Sequence, residues 1–124
     1  MEFTLQAALP ASDIDRAKAW YSEKLGVEPV DTGPGGELMY NVGGTQFGLY
    51  QSAFAGTNQA TAAMLAVGDF DAALAEMRSK GVVFEDYDFG EDFRTVNGVL
   101  EGPDGSKAAW FKDSEGNILG MAAM

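Results

Sequence analysis

The sequence predicts an α+β fold built from two tandem β-α-β-β-β modules, and three observations carry that prediction. Ser12-Asp13-Ile14-Asp15-Arg16-Ala17, running to Lys24-Leu25-Gly26-Val27, and Gly68-Asp69-Phe70-Asp71-Ala72-Ala73, running to Lys80-Gly81-Val82, repeat one helical pattern. Each is preceded by a stretch of strand character, Phe3 to Leu9 in the first and Thr61 to Val67 in the second. Each module closes on the same echo, a turn leading into a last strand: Gly44-Thr45-Gln46-Phe47-Gly48-Leu49 and Gly116-Asn117-Ile118-Leu119-Gly120-Met121.

Taken in order, each helix starts at a polar turn that supplies an Asp or Ser cap and stops near a glycine. Its apolar stripe is Ile14, Ala17, Tyr21 and Leu25 in the first module, and Phe70, Ala73, Leu74 and Met77 in the second. About three strands follow each helix. Gly33-Pro34-Gly35-Gly36 and Gly43-Gly44 punctuate them in the first module, and Asn97-Gly98, Pro103-Asp104-Gly105 and Glu115-Gly116-Asn117 in the second. The polar stretch from Ser52 to Ala60 reads as the linker, giving modules 1–53 and 60–124 of a single domain.

A β-α-β-β-β module buries one face of its sheet under its own helix and leaves the other uncovered, so two such sheets are expected to curl into a cup with the helices outside. Alternation assigns the facing. Leu5, Ala7 and Leu9 turn to the helix, and Thr4, Gln6 and Ala8 turn to the cup. Gln46, Gly48 and Tyr50, then Ala62, Met64 and Ala66, then Ala108 and Trp110, then Ile118, Gly120 and Ala122 line it, unless a bulge reverses the parity.

Composition removes several functions. Among 124 residues there is no cysteine and no histidine, which excludes a disulfide framework, a thiol nucleophile, a Ser-His-Asp triad and an imidazole metal cage. Eight basic against 19 acidic residues, a formal charge of −11, argue against nucleic acid and anionic membranes as partners. The start Met1-Glu2-Phe3-Thr4 lacks a secretion signal's basic and apolar regions, and no apolar run approaches the ~20 residues that span a bilayer, so a soluble cytoplasmic protein is expected.

With Trp20-Tyr21, the Asp69-Phe70-Asp71-Ala72-Ala73 helix start and the closing Ala109-Trp110-Phe111-Lys112-Asp113-Ser114-Glu115-Gly116-Asn117-Ile118-Leu119, the chain resembles the vicinal oxygen chelate superfamily over essentially its whole length. That superfamily includes glyoxalase I, extradiol dioxygenases, fosfomycin-modifying enzymes and bleomycin-resistance proteins. The last segment is similar to its aromatic-x-Asp-x-x-Gly-Asn signature. Metal-dependent members place up to four ligands at positions that fall here at Gln6, Gly48, Ala62 and Gly120, of which only Gln6 carries a donor atom. The resemblance therefore implies the metal-free, bleomycin-resistance-like branch: a cofactor-free homodimer that sequesters a bulky, often cationic drug in a shared cleft.

Within that reading Trp110, Tyr50 and Tyr40 are candidates for a stacking wall, Gln6 for a hydrogen bond from the floor, and Met64 for an adaptable apolar contact. Gly48, Ala62 and Gly120 leave volume to be filled by a ligand, water or larger neighbours. Phe111 and Trp20 read as packing residues. Glu85-Asp86-Tyr87-Asp88-Phe89-Gly90-Glu91-Asp92, the densest acidic and aromatic stretch, has its glycine misplaced for a calcium loop and reads as an exposed strand and loop near the mouth, a solvated rim unless its acids and rings meet a cationic ligand. Gly33-Pro34-Gly35-Gly36 lacks the Lys-Ser/Thr of a phosphate loop. No carboxylate or lysine is assigned inward, so no catalytic residue is assigned and binding ranks above catalysis. A glyoxalase-like lyase with its acid and base elsewhere is the alternative, and a small-molecule sensor or interaction module a third.

Overall fold

Asp13 and Asp69 start the two helices in the same way. Each stands in extended backbone, and its carboxylate accepts from the amide three residues on, Arg16 at 3.0 Å and Ala72 at 3.1 Å. The computed structural model, which describes residues 1–124, divides the chain into two units, 1–58 with 113–117 and 59–112 with 118–124. The turn that closes the second module thus belongs to the first unit.

In the first unit, β1 (Ala7–Ala11) leads into α1 (Ile14–Trp20), which one π-helical turn (Tyr21–Leu25) continues to Gly26 at φ +68°. β2 (Asp31–Thr32), β3 (Leu38–Val42) and β4 (Thr45–Gln51) follow, in the spatial order β1-β4-β3-β2 with β1 parallel to β4 and the rest antiparallel. Leu9, Ala11, Ala17, Tyr21, Leu38, Tyr40 and Leu49 are buried.

The first strand begins later than the sequence suggests. The β1 ladder runs from Ala7↔Phe47 to Ala11↔Gln51, and β4 starts only at Thr45, after the Gly43-Gly44 turn. Phe3 and Leu5 lie N-terminal to the ladder and are exposed rather than turned to the helix.

The second unit repeats the plan. β5 (Thr61–Val67), α2 (Phe70–Ser79), β6 (Leu100–Glu101), β7 (Lys107–Lys112) and β8 (Ile118–Ala123) form a sheet ordered β5-β8-β7-β6, with β5 parallel to β8. Phe70, Leu74 and Met77 of α2 are buried, as are Phe84, Ala109, Phe111, Leu119 and Met121. These are two helices and two mixed four-stranded sheets, the two-module α+β fold the repeat predicts.

The Asp-x-x-Gly-Asn segment is a structural clamp. Asp113 accepts from the amides of Glu115 and Asn117 at 2.8 and 2.9 Å, from the Asn117 side chain at 2.9 Å and from the Tyr21 hydroxyl at 2.6 Å. Burial, then the charge and hydrogen bond of Asp113, push the Tyr21 phenol well above its usual range. The wholly buried Glu115 carboxylate takes both arms of Arg16 at 2.9 Å each and the Asp13 amide at 2.9 Å. Gly116, at φ +85°, has no room for a side chain, because a Cβ would stand 2.9 Å from the Cα of Gly56.

Candidate ligand-binding site

The two central strands carry a glycine at the same place in each sheet. Gly48 pairs with Ala8 on one side and Met39 on the other, and Gly120 pairs with Met64 and Trp110. Both glycines are buried, and larger neighbours fill the space at Gly120. A Cβ on Gly48 would meet the Met39 sulfur at 3.4 Å. One on Gly120 would fall 2.2 Å from the Met64 sulfur and 3.0 Å from the Trp110 indole nitrogen. The missing side chain of Gly120 thus lets Met64 and Trp110 close over the strand, whereas a Cβ on Gly48 would make only an ordinary contact with Met39.

Trp110 is the centre of an aromatic cluster. Its ring centroid lies 5.4 Å from Phe93 and 6.2 Å from Tyr87, Tyr87 lies 6.0 Å from Phe89, and Phe89 lies 5.7 Å from Phe93. With Gln59, Ala60, Thr61 and Ile118 these four rings line a recess of ≈ 280 Å³ within the second unit. Between Phe84 and Val99 the chain has no long strand, and a polar spine fixes its shape. Buried Thr95 donates to Asp86 at 2.8 Å and accepts from the Tyr87 amide at 2.7 Å, while Asp86 also accepts from the Gly98 amide at 2.7 Å. Those bonds, the Gly98 amide first, hold the Asp86 carboxyl below its usual range. Asp88 pairs with Arg94 at 3.2 Å, and the Phe89 amide donates to the Phe93 carbonyl at 2.8 Å, closing the tip that presents both phenylalanines.

The residues singled out in the sequence distribute unevenly. Met64 and Trp110 meet at Gly120, and Trp110 lines the recess. Tyr50 is 41% exposed, at the end of β4 in the first unit. Gln6 is exposed and its amide donates to the side chain of Gln46. Ala62 is displaced by a bulge: Thr61 pairs with Ile118 and Ala63 with Leu119, so Thr61 and not Ala62 reaches the recess beside Ile118.

Tyr40 does not belong to a stacking wall. It pairs with Phe47 across β3 and β4, lies nearly parallel to that ring at 4.6 Å, sits 6.1 Å from Tyr21 and is wholly buried. Its hydroxyl has no hydrogen-bond partner, and burial raises its pKa. Tyr40→Phe removes this uncompensated polar atom while keeping the ring. Its expected result is a denaturation midpoint unchanged or raised by up to ~1 kcal/mol in stability, with unaltered ligand affinity. A loss above that in urea titration would show that the hydroxyl is satisfied.

The sequence profile of the Glyoxalase/Bleomycin resistance protein/Dioxygenase superfamily matches residues 4–119. The chain belongs to this superfamily. No curated protein matches the sequence. Among solved structures, UcmS2 is 21% identical over 98% of each chain, with a TM-score of 0.75. A lactoylglutathione lyase from Agrobacterium tumefaciens is 18% identical over 99% of this chain and 94% of its own, at a TM-score of 0.72. TnmS3, an antibiotic binding protein from Streptomyces sp. CB03234, is 22% identical over 99% and 96%, at 0.65. At such identities the likeness is one of fold.

The superfamily's divalent metal does not fit this chain at the corresponding positions. Gln6 is engaged by Gln46, Ala62 carries a methyl group, and Gly48 and Gly120 have no side chain to offer a donor atom. No three His, Cys, Asp or Glu side chains gather in a way that could hold an ion. No helix is long and apolar enough to cross a membrane.

Proposed function

We propose that this superfamily member is a small-molecule binding protein of the metal-free, bleomycin-resistance-like kind, which sequesters an antibiotic-like ligand at the aromatic recess of its second unit. The observation that carries the reading is the joint placement of Tyr87, Phe89, Phe93 and Trp110 around one recess beside the glycine position that a metal ligand fills in other members. Apolar walls with a few polar groups, here Gln59 and Thr61, suit recognition of a bulky organic molecule better than proton transfer. The description of TnmS3 as antibiotic binding supports the same class.

In this proposal the chain acts in the cytoplasm as a homodimer, a second copy helping to enclose a ligand larger than the recess. Met64 extends the contact surface beyond it, and Gln6 and Tyr50 are candidate contacts within the first unit. Gly48, Ala62 and Gly120 contribute by bringing no donor to the place where a metal would be held.

Calorimetric titration against planar, cationic and peptide antibiotics tests the reading. Trp110→Ala is expected to weaken the best ligand at least tenfold, about 1.4 kcal/mol, and Trp20→Ala to leave it nearly unchanged, because Trp20 packs edge-on against buried Tyr21 at 5.0 Å. Equal losses in the two variants would overturn the site. A stoichiometric transition metal required for binding or turnover would overturn the metal-free reading.

A further inference from the structure

The four aromatic rings at the recess close a cycle. From Trp110 to Tyr87, Phe89, Phe93 and back to Trp110, successive centroids are separated by 6.2, 6.0, 5.7 and 5.4 Å. Their successive interplanar angles are 79°, 19°, 56° and 43°, so the rings stand as walls rather than as one stack. The near-parallel pair, Tyr87 and Phe89, is at 6.0 Å, short of the ~7 Å needed to slide a flat ring between two others. A compact group fits this enclosure better than a planar one.

Charge selects among compact groups. No lysine or arginine lines the recess. Residues 85–94 carry Glu85, Asp86, Asp88, Glu91 and Asp92 against Arg94, whose guanidinium is paired with Asp88. The Glu85 carboxylate adds to burial in raising the Tyr87 phenol. Ring faces are themselves negative, and a cation within ~6 Å of several centroids is attracted to each. Hydrogen-bonding side chains at the lining are few, Gln59 and Thr61 beside the Tyr87 hydroxyl. A primary ammonium would lose hydration of three N–H groups there, whereas an N-methylated ammonium sheds much less.

We infer that the Tyr87-Phe89-Phe93-Trp110 ring is an aromatic cage for the tertiary or quaternary methylammonium group of a ligand. The inference rests on the recess being the binding site and names the chemistry of what enters it.

Choline and its uncharged carbon isostere, 3,3-dimethylbutan-1-ol, are the probes, titrated by calorimetry and by fluorescence in a Trp20→Phe background so that emission reports Trp110. Choline is expected to bind at least tenfold tighter than the isostere. Phe89→Leu keeps an apolar side chain at a position 75% exposed and removes one π face. It is expected to weaken choline several-fold while leaving the isostere within twofold. An isostere that binds as tightly as choline, or equal losses for both probes in Phe89→Leu, would overturn the cage. In that case binding of another ligand sensitive to Trp110→Ala would leave the recess standing. If neither probe nor any antibiotic of the panel binds, both the recess and the cage fall.

Discussion

Glu115→Ala is expected to lower the stability of the chain by about 3 kcal/mol at pH 7, a fall of roughly 10 °C in Tm for a domain of this size. The Glu115 side chain is wholly buried, while Arg16 remains 53% exposed. The carboxylate collects Arg16 Nε and a terminal guanidinium nitrogen, the Asp13 amide, and the Ser12 and Ser114 hydroxyls at 3.2 and 2.7 Å. Truncation leaves these donors without their shared acceptor. Arg16 and the hydroxyls can turn to water, whereas the Asp13 amide is fixed by the start of α1 and cannot. The Arg16 hydrogen bond leads the contributions that lower the Glu115 pKa to about 2 from an ordinary 4.5. The folded state therefore binds this proton less readily than the unfolded chain. The stabilisation is complete above pH ~4.5 and disappears as pH falls through ~2. Half-exposed Arg16 screens part of it, leaving about 2–3 kcal/mol linked to the titration. Denaturant titrations of the protein and of Glu115→Gln between pH 7 and 2.5 check this: the gap between them should narrow steadily below pH 4.5. A gap independent of pH would mean that the carboxylate's charge contributes nothing.

Much of the fold was legible because its signals are local. The capping aspartates, the apolar stripes and the helix-ending glycines act within a few residues, and all lie where the repeat puts them. The π-helical turn at Tyr21–Leu25 was not legible, because an α-helical stripe already brings Tyr21 inward and one inserted residue hardly alters the pattern. Along Leu38-Met39-Tyr40 apolar residues run without alternation, so the facing of Tyr40 is set by its partner Phe47 on β4 and not by its neighbours in sequence. The Ala62 bulge is equally silent, for nothing in Thr61-Ala62-Ala63 distinguishes a regular strand from one that skips a pairing. At the candidate site, alternation brought Trp110, Met64 and Gly120 to one face, since Trp110 and Gly120 lie in regular strands and Met64 follows the bulge of its own. Phe93 is not marked by the sequence, and Tyr87 and Phe89 stand in an acidic and aromatic stretch that reads first as a solvated rim and second as a contact for a cationic ligand. Their positions depend on Thr95 and Asp86 bonds, which span 8 to 12 residues of aperiodic chain. An aromatic at every second position of Tyr87-Asp88-Phe89 was the one available hint.

Asp113→Ala is expected to be the most damaging single truncation in the signature turn, at about 4 kcal/mol. Two acceptor oxygens serve four donors there. Oδ1 takes the Glu115 and Asn117 amides, and Oδ2 takes the Tyr21 hydroxyl and the Asn117 side chain. Asp113, Asn117 and Tyr21 are all buried, so the freed donors have little direct access to water, and each unsatisfied group costs about 1–3 kcal/mol less whatever an entering water recovers. The loss also spreads along the chain, because Asn117, held by Asp113, donates to the Pro10 carbonyl at 2.8 Å. Asp113→Asn separates geometry from charge. Its remaining oxygen can keep both backbone amides, but its NH₂ faces the Asn117 NH₂, a pairing of two donors, while the Tyr21 hydroxyl can turn to accept. About 2 kcal/mol is therefore expected for Asn, roughly half the alanine figure. Urea denaturation of the two variants, alone and combined with Tyr21→Phe, makes the comparison. Removing the Tyr21 hydroxyl should cost ~1–2 kcal/mol in the native background and much less once Asp113 is alanine, because its acceptor is already gone. Full additivity would show that the 2.6 Å contact contributes nothing of its own, and the clamp would then owe its strength to the backbone amides alone.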